Sequence, residues 1–188
     1  MNSRRQRILI LAAVALALCT GASTPARAQS RNDSIGTATP LSNGTFSASI
    51  SPFGDPIDVT DPDEDFYSVS VAASATLTVD VVGPGLTPPS PIDPVIEIVN
   101  SGGTRLTTCK DPGDDSPPPG LGITPDGTPS DFDDPCINDD ISLGENRNSH
   151  LDFQNTTGGT ITVFIHVLDW RGDARPDLIY QITISGAQ

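Results

Sequence analysis

Residues 93–107 decide the fold: Asp93-Pro94-Val95-Ile96-Glu97-Ile98-Val99, then Asn100-Ser101-Gly102-Gly103, then Thr104-Arg105-Leu106-Thr107. The first segment is a short apolar run interrupted by one carboxylate. The second holds the residue types that reverse a chain, Asn for its local hydrogen bonding and Gly for its access to positive φ. The third returns as a polar-apolar alternation. A strand, a tight turn and a returning strand follow from this order.

The same period of two recurs on either side. Phe46, Ala48 and Ile50 alternate with polar neighbours, as do Tyr67, Val69 and Val71, then Leu77, Val79 and Val81. Near the end come Ile161, Val163, Ile165 and Val167, then Tyr180, Ile182 and Ile184. Alternation puts each set on one face of a strand and leaves Thr, Ser and Asp for the other. Pro52 to Pro56, Gly83-Pro84-Gly85 and Thr157-Gly158-Gly159 punctuate the runs. About eight short strands at this spacing predict an all-β antiparallel sandwich, jelly-roll-like, in a single domain. The spacing over Ala73-Ser74-Ala75 predicts a hairpin between Val69–Val71 and Leu77–Val79. Helical periodicity is absent after the first residues.

Those first residues read as an export signal over 1–28. Arg4, Arg5 and Arg7 make a positive start, Ile8 to Cys19 is apolar but short for a membrane span, and Ala26-Arg27-Ala28 fits a cleavage site. Cys19 as a lipidation site is the weaker alternative, because Leu18 before it is bulky. Removing 28 of 188 residues leaves 160, the domain 29–188. Arg4, Arg5, Arg7 and Arg27 leave with the signal, so six of ten basic residues then face 24 acidic ones, a net charge of −18. Such a surface disfavours nucleic acid and anionic membrane and suits cations, basic partners or simple solubility. The expected location is secreted or periplasmic. An extracellular polymer or a secreted protein is the expected partner.

Cys109 and Cys136 remain after cleavage, and an even pair in an exported chain predicts a disulfide. Between them, residues 110–135 are almost all Asp, Pro, Gly, Ser and Thr. This insertion lacks the apolar content to fold alone and is expected to be disordered, with the disulfide as a staple at its base.

In order, Asn32-Asp33-Ser34, Asp63-Glu64-Asp65-Phe66-Tyr67, Asp93 to Ile98 with Gly103-Thr104-Arg105-Leu106, Asn138-Asp139-Asp140, Leu151-Asp152-Phe153 and Tyr180 to Ile184 resemble the bacterial pre-peptidase C-terminal domain. That family is similar to the β-sandwich collagen-binding modules of secreted collagenases. The resemblance implies a non-catalytic binding or stabilising module that follows or assists a secreted enzyme. It also implies calcium held by residues near the domain's start together with a later acidic loop. By position these are Asn32, Asp33, Asp63 and Asp65, with Asp93, Asp139 and Asp140 as a second cluster. Calcium wants six to eight oxygens, which carboxylates and carbonyls supply. The competing reading is that these are turn carboxylates bonded to backbone amides. Asp61, Asp63 and Asp65 do not start an EF-hand, because Phe66 stands where that loop needs Gly.

Zinc has little support from His150 and His166 with two paired cysteines. The alternation of His166 with Ile165 and Val167 predicts that it faces water. Catalytic signatures such as Gly-x-Ser-x-Gly and His-Glu-x-x-His are absent, and the reading is that the chain is not an enzyme. A small hydrolase whose site assembles only in space is one alternative, and a structural or adhesion protein is another. Exposed Tyr67, Phe164 or Trp170 on a wet sheet face are candidate contacts. Arg171-Gly172-Asp173 spells an integrin-recognition tripeptide but reads more simply as a turn. Asn32, Asn43 and Asn155 begin Asn-x-Ser/Thr sequons.

Overall fold

The computed structural model of the chain describes residues 32–50, 64–83, 86–110, 136–138, 141, 146–171, 175 and 177–188. The signal segment, most of the insertion, and Asp63, Asp139 and Asp140 lie outside them. In chain order a single 3-10 turn (Ile35–Thr37) precedes the strands β1 (Thr39–Pro40), β2 (Gly44–Ser49), β3 (Asp65–Val71), β4 (Thr76–Val82), β5 (Pro94–Val99), β6 (Cys109–Lys110), β7 (Ile137–Asn138), β8 (Ser149–Gln154), β9 (Ile161–Asp169) and β10 (Ile179–Ser185). They form two five-stranded sheets, β1-β3-β9-β5-β7 and β2-β10-β4-β8-β6. The chain is an all-β sandwich. The described strands number ten rather than about eight, because β1, β6 and β7 are two residues each and too short to show a period.

The alternating sets meet between the sheets. Val69, Val71, Val163, Ile165, Ile96 and Ile98 from the first sheet face Leu77, Val79, Val81, Leu151, Ile182 and Ile184 from the second, all buried. Burial of these β-branched and aliphatic side chains is the main favourable term for such a domain. The registers are regular: Asp65 to Val71 pairs antiparallel with Val167 to Ile161, and Ile179 to Ile184 with Ser49 to Gly44.

The expected hairpin over Ala73–Ala75 is corrected. β3 and β4 lie in different sheets, so Ala72 to Ala75 is an arch across the core. Both strands carry a full apolar face, and two such faces bury more surface opposed across the core than side by side. Ser74 turns the corner at φ 61°. Gly83 is required for a different reason: a Cβ there would lie 2.0 Å from Ile92 Cγ2.

The turn after β5 forms as read. Asn100 N–H donates to Thr104 O at 2.9 Å, and Asn100 Oδ1 accepts from the amides of Gly102 and Thr104 at 2.8 and 3.1 Å. Gly103 takes φ +81°, and Arg105 bridges back to Val99.

The two long sides of the sandwich differ. On the β6/β7 side the layers are tied together. Cys109 of β6 in one sheet and Cys136, next to β7 in the other, form a disulfide with Cα atoms 5.0 Å apart. Asn138 Oδ1 accepts the His150 amide at 2.7 Å, and Ser149 Oγ donates to Pro94 O, both between sheets. On the β1/β2 side no covalent tie is present among the described residues.

Candidate functional site

β5 is buried over its whole length, on both faces. Its outward side carries Val95, Glu97 and Val99, so the outer face of the first sheet is not wet along β5. Val95 and Ile137 form a second apolar cluster there with half-buried Leu168 and Trp170. In the next row across the strands, Phe66, His166 and Glu97 are neighbours by register.

A carboxylate with 0 % exposure must be paired or neutral. Glu97 is paired twice over. Arg105, delivered by the turn after β5, donates from Nε to Oε1 at 3.2 Å and also from Nη2, with its own side chain 4 % exposed. His166 Nδ1 lies 3.4 Å from Glu97 Oε2, and its Nε2 lies 3.2 Å from Glu64 Oε2. Phe66 stacks on the imidazole with ring centroids 4.3 Å apart. Glu64, at 28 % side-chain exposure, is the member of this group nearest to water.

The expectation that His166 faces solvent is therefore corrected: it is fully buried. Alternation placed it on the outer side, which is right, but that side is covered. Burial by itself would lower its pKa. The hydrogen-bonding and charge of Glu64 and Glu97 outweigh that and raise it. The two carboxylates thus favour the protonated imidazole, beside a permanent guanidinium charge.

A second polar chain crosses the core. Tyr180 donates to Asp65 Oδ2 at 2.5 Å, and the Tyr67 and Tyr180 hydroxyls are 2.7 Å apart. Tyr180 is held well above the ordinary phenol pKa, first by burial and then by the Asp65 charge. Tyr67 is thus a core residue, 5 % exposed, and not a surface contact. Phe164 and Trp170 are half-buried.

Of the residues read as calcium ligands, the described ones, Asn32, Asp33, Asp65 and Asp93, fall at one end of the first sheet. Val167 of β9 has Asp65 on one side and Ile96 on the other, and Pro94 pairs with Asp169 at the same end. Asn32 joins there through its carbonyl, which accepts the Phe66 amide at 2.7 Å, and its Nδ2, which donates to Phe66 O at 3.2 Å. Asp33 follows it. Asp65, however, turns inward, 6 % exposed, and serves Tyr180. Asp93 lies 3.4 Å from Arg147, and its amide donates to Asp169 Oδ1 at 2.8 Å. Among the described residues no group of three or more His, Cys, Asp or Glu is arranged to hold a metal. Asp63, Asp139 and Asp140 lie outside the described residues.

The remaining motif residues have structural partners. Arg171 clamps the buried Asp169 with Nε to Oδ2 at 3.2 Å and Nη2 to Oδ1 at 2.9 Å, and also donates to Pro91 O at 2.5 Å. Its guanidinium closes β9 onto the 86–93 segment; Gly172 and Asp173 lie outside the described residues. Asn155 is fully buried, with Nδ2 donating to Val71 O, Ala72 O and Gly159 O. That sequon asparagine belongs to the arch. Asn43 is exposed and exchanges two bonds with Ala187.

His150 lies on the outer face of the second sheet, Nδ1 2.6 Å from Asp80 Oδ1 and Nε2 3.8 Å from Asp152 Oδ1. On the same face a groove of about 540 Å³ opens between the proline-rich segment and β10. Leu86, Pro88, Pro89 and Pro91 form one wall, Ile179 and Gln181 the other. Ile179 is the one large apolar side chain left exposed among the described residues, at 47 %. The sequence reading missed this groove. Its signal was the Thr87-Pro88-Pro89-Ser90-Pro91 run, which reads only as a chain breaker until β10 is placed beside it. No family model matches the chain, and no curated protein matches it.

Proposed function

We propose that this chain is an exported, non-catalytic binding or stabilising module of the pre-peptidase C-terminal kind, engaging an extracellular polymer or a secreted protein. The observation that carries the reading is the groove beside Ile179. It is concave, about 540 Å³, walled by prolines and set on an otherwise polar sheet face. Binding sites are commonly apolar concavities of this size with a few polar groups, here Gln181 and Asp177. The inter-sheet disulfide supports life in an oxidising compartment. Both histidines sit between carboxylates, so their first partners are acids rather than a hydroxyl or thiol nucleophile.

The test is a pull-down on collagen, chitin and cell-wall polymers, with Ile179→Asp as the control. Retention of the native protein and loss with Ile179→Asp is the expected result. Retention on none of them, or equal retention of Ile179→Asp, overturns the reading. Calcium enters the proposal through Asn32, Asp33, Asp63 and Asp65, with Asp93, Asp139 and Asp140 as a second cluster. Its separate test is a rise in melting temperature with millimolar calcium, reversed by chelator.

A further inference from the structure

Among the described residues four strands form the edges of the two sheets, and three of them are blunted. β1 is two residues and ends at Pro40; β6 and β7 are two residues each, on the disulfide side. Short edges and prolines are how sheets avoid pairing with other chains. β2 is the exception. It runs six residues, Gly44-Thr45-Phe46-Ser47-Ala48-Ser49, with no charge and no proline.

The hydrogen-bond phase of this edge is fixed. Ile50 N–H donates to Leu178 O at 3.0 Å, and the register continues with Ala48 on Tyr180 and Phe46 on Ile182. In an antiparallel ladder bonded positions alternate. Gly44, Phe46 and Ala48 therefore bond to β10, and the backbone groups of Thr45, Ser47 and Ser49 point away from the sheet. No strand lies beyond them among the described residues. Thr45 and Ser47 are exposed, while Phe46 and Ala48 are half-buried against the core.

We propose that β2 is a self-association edge, pairing antiparallel with β2 of a second copy about a two-fold axis at Ser47. The sequence is complementary to itself in that register. Ser47 meets Ser47, Thr45 meets Ser49, and Phe46 meets Ala48 twice, a large side chain opposite a small one each time. The half-buried Phe46 and Ala48 become covered by their partners, and the outward faces meet as hydroxyls. The two five-stranded sheets become one continuous sheet. A second copy is favoured over an unrelated strand by this self-complementarity, and the contact lies where charge opposes it least. The chain carries a net charge of −14, so two copies repel everywhere except along a charge-free strip, and β2 is one. The symmetry is that of the commonest homo-oligomers.

Sedimentation equilibrium of the purified protein from about 1 µM to about 1 mM tests this, with two variants. The native protein is expected to dimerise within the range, more tightly as salt screens the net charge. Ser47→Lys, at an exposed position, is expected to weaken dimerisation by more than about tenfold with an unchanged melting temperature. Ser47→Cys is expected to crosslink on mild oxidation, because bonded antiparallel pairs have Cα atoms about 5.5 Å apart, within disulfide reach. Thr45→Cys, displaced from the axis, is expected not to. A native protein that stays monomeric throughout overturns the inference. So does a Ser47→Lys variant that dimerises as strongly as the native protein, or equal crosslinking of the two cysteine variants.

Discussion

Replacing Arg105 with methionine keeps most of the side-chain volume and removes the charge that neutralises Glu97. Glu97 has no exposure and Arg105 has 4 %, so solvent does not screen this pair. Removing one partner of a buried ion pair costs about 3–5 kcal/mol, which for a domain of this size lowers the melting temperature by roughly 6–20 °C. His166 makes the loss depend on pH. Its Nδ1 is 3.4 Å from the other oxygen of Glu97, and its pKa in the folded protein is raised. A raised pKa means that its contribution is complete below the unfolded value of about 6.5 and disappears as pH climbs through the folded value. Without Arg105, Glu97 leans harder on the imidazolium, so the folded value rises further, with about 1.4 kcal/mol of coupling for each unit. Urea unfolding of Arg105→Met and the native protein at about pH 5, 6.5 and 8 measures this. The loss is expected to be largest at the alkaline end and smallest at the acid end. The double variant Glu97→Leu/Arg105→Met is expected to recover most of it, since neither charge is then stranded. A loss below about 1 kcal/mol at every pH, or one that grows toward acid, refutes the account.

Two other perturbations follow from the core. Tyr180 is buried with its pKa raised well above the ordinary value, so its contribution holds below about pH 10 and fades above that; ultraviolet absorbance is expected to show its phenolate appearing only as the protein unfolds. Tyr180→Phe removes the buried hydroxyl bond to Asp65 and is expected to cost about 1–3 kcal/mol, read from urea unfolding at neutral pH. Reducing the disulfide, with Cys109 and Cys136 separated by 27 positions, is expected to lower stability by about 3–4 kcal/mol, read as a shift in the denaturant midpoint.

The sandwich was legible because its signal is local. A period of two on β2, β3, β4, β9 and β10 states which side chains go inward, and the structure puts them there. Partnership of strands is not local, which is why β3 and β4 read as a hairpin while belonging to different sheets. Periodicity also says which face a residue is on, not what covers it. His166 and Glu97 have the alternation of wet positions, and only the return of Arg105 and the approach of Glu64 make that face a buried ionic cluster. Asp65 shows the converse. Its acidic neighbours suggest an ion-binding rim, but its parity with Tyr67 and Val69 sends its carboxylate to the Tyr180 hydroxyl. The groove was invisible because its walls are some ninety positions apart in the chain, Leu86 to Pro91 against Ile179 and Gln181.

The bond between Cys109 and Cys136 makes the intervening sequence a closed covalent ring whose clasp joins the two layers. A protease that cuts once anywhere inside that ring leaves two fragments still attached to each other. Doubling the ring's length adds only about 0.6 kcal/mol of closure entropy. A foreign peptide grafted inside this ring would thus hang from a clasp that already joins the two layers.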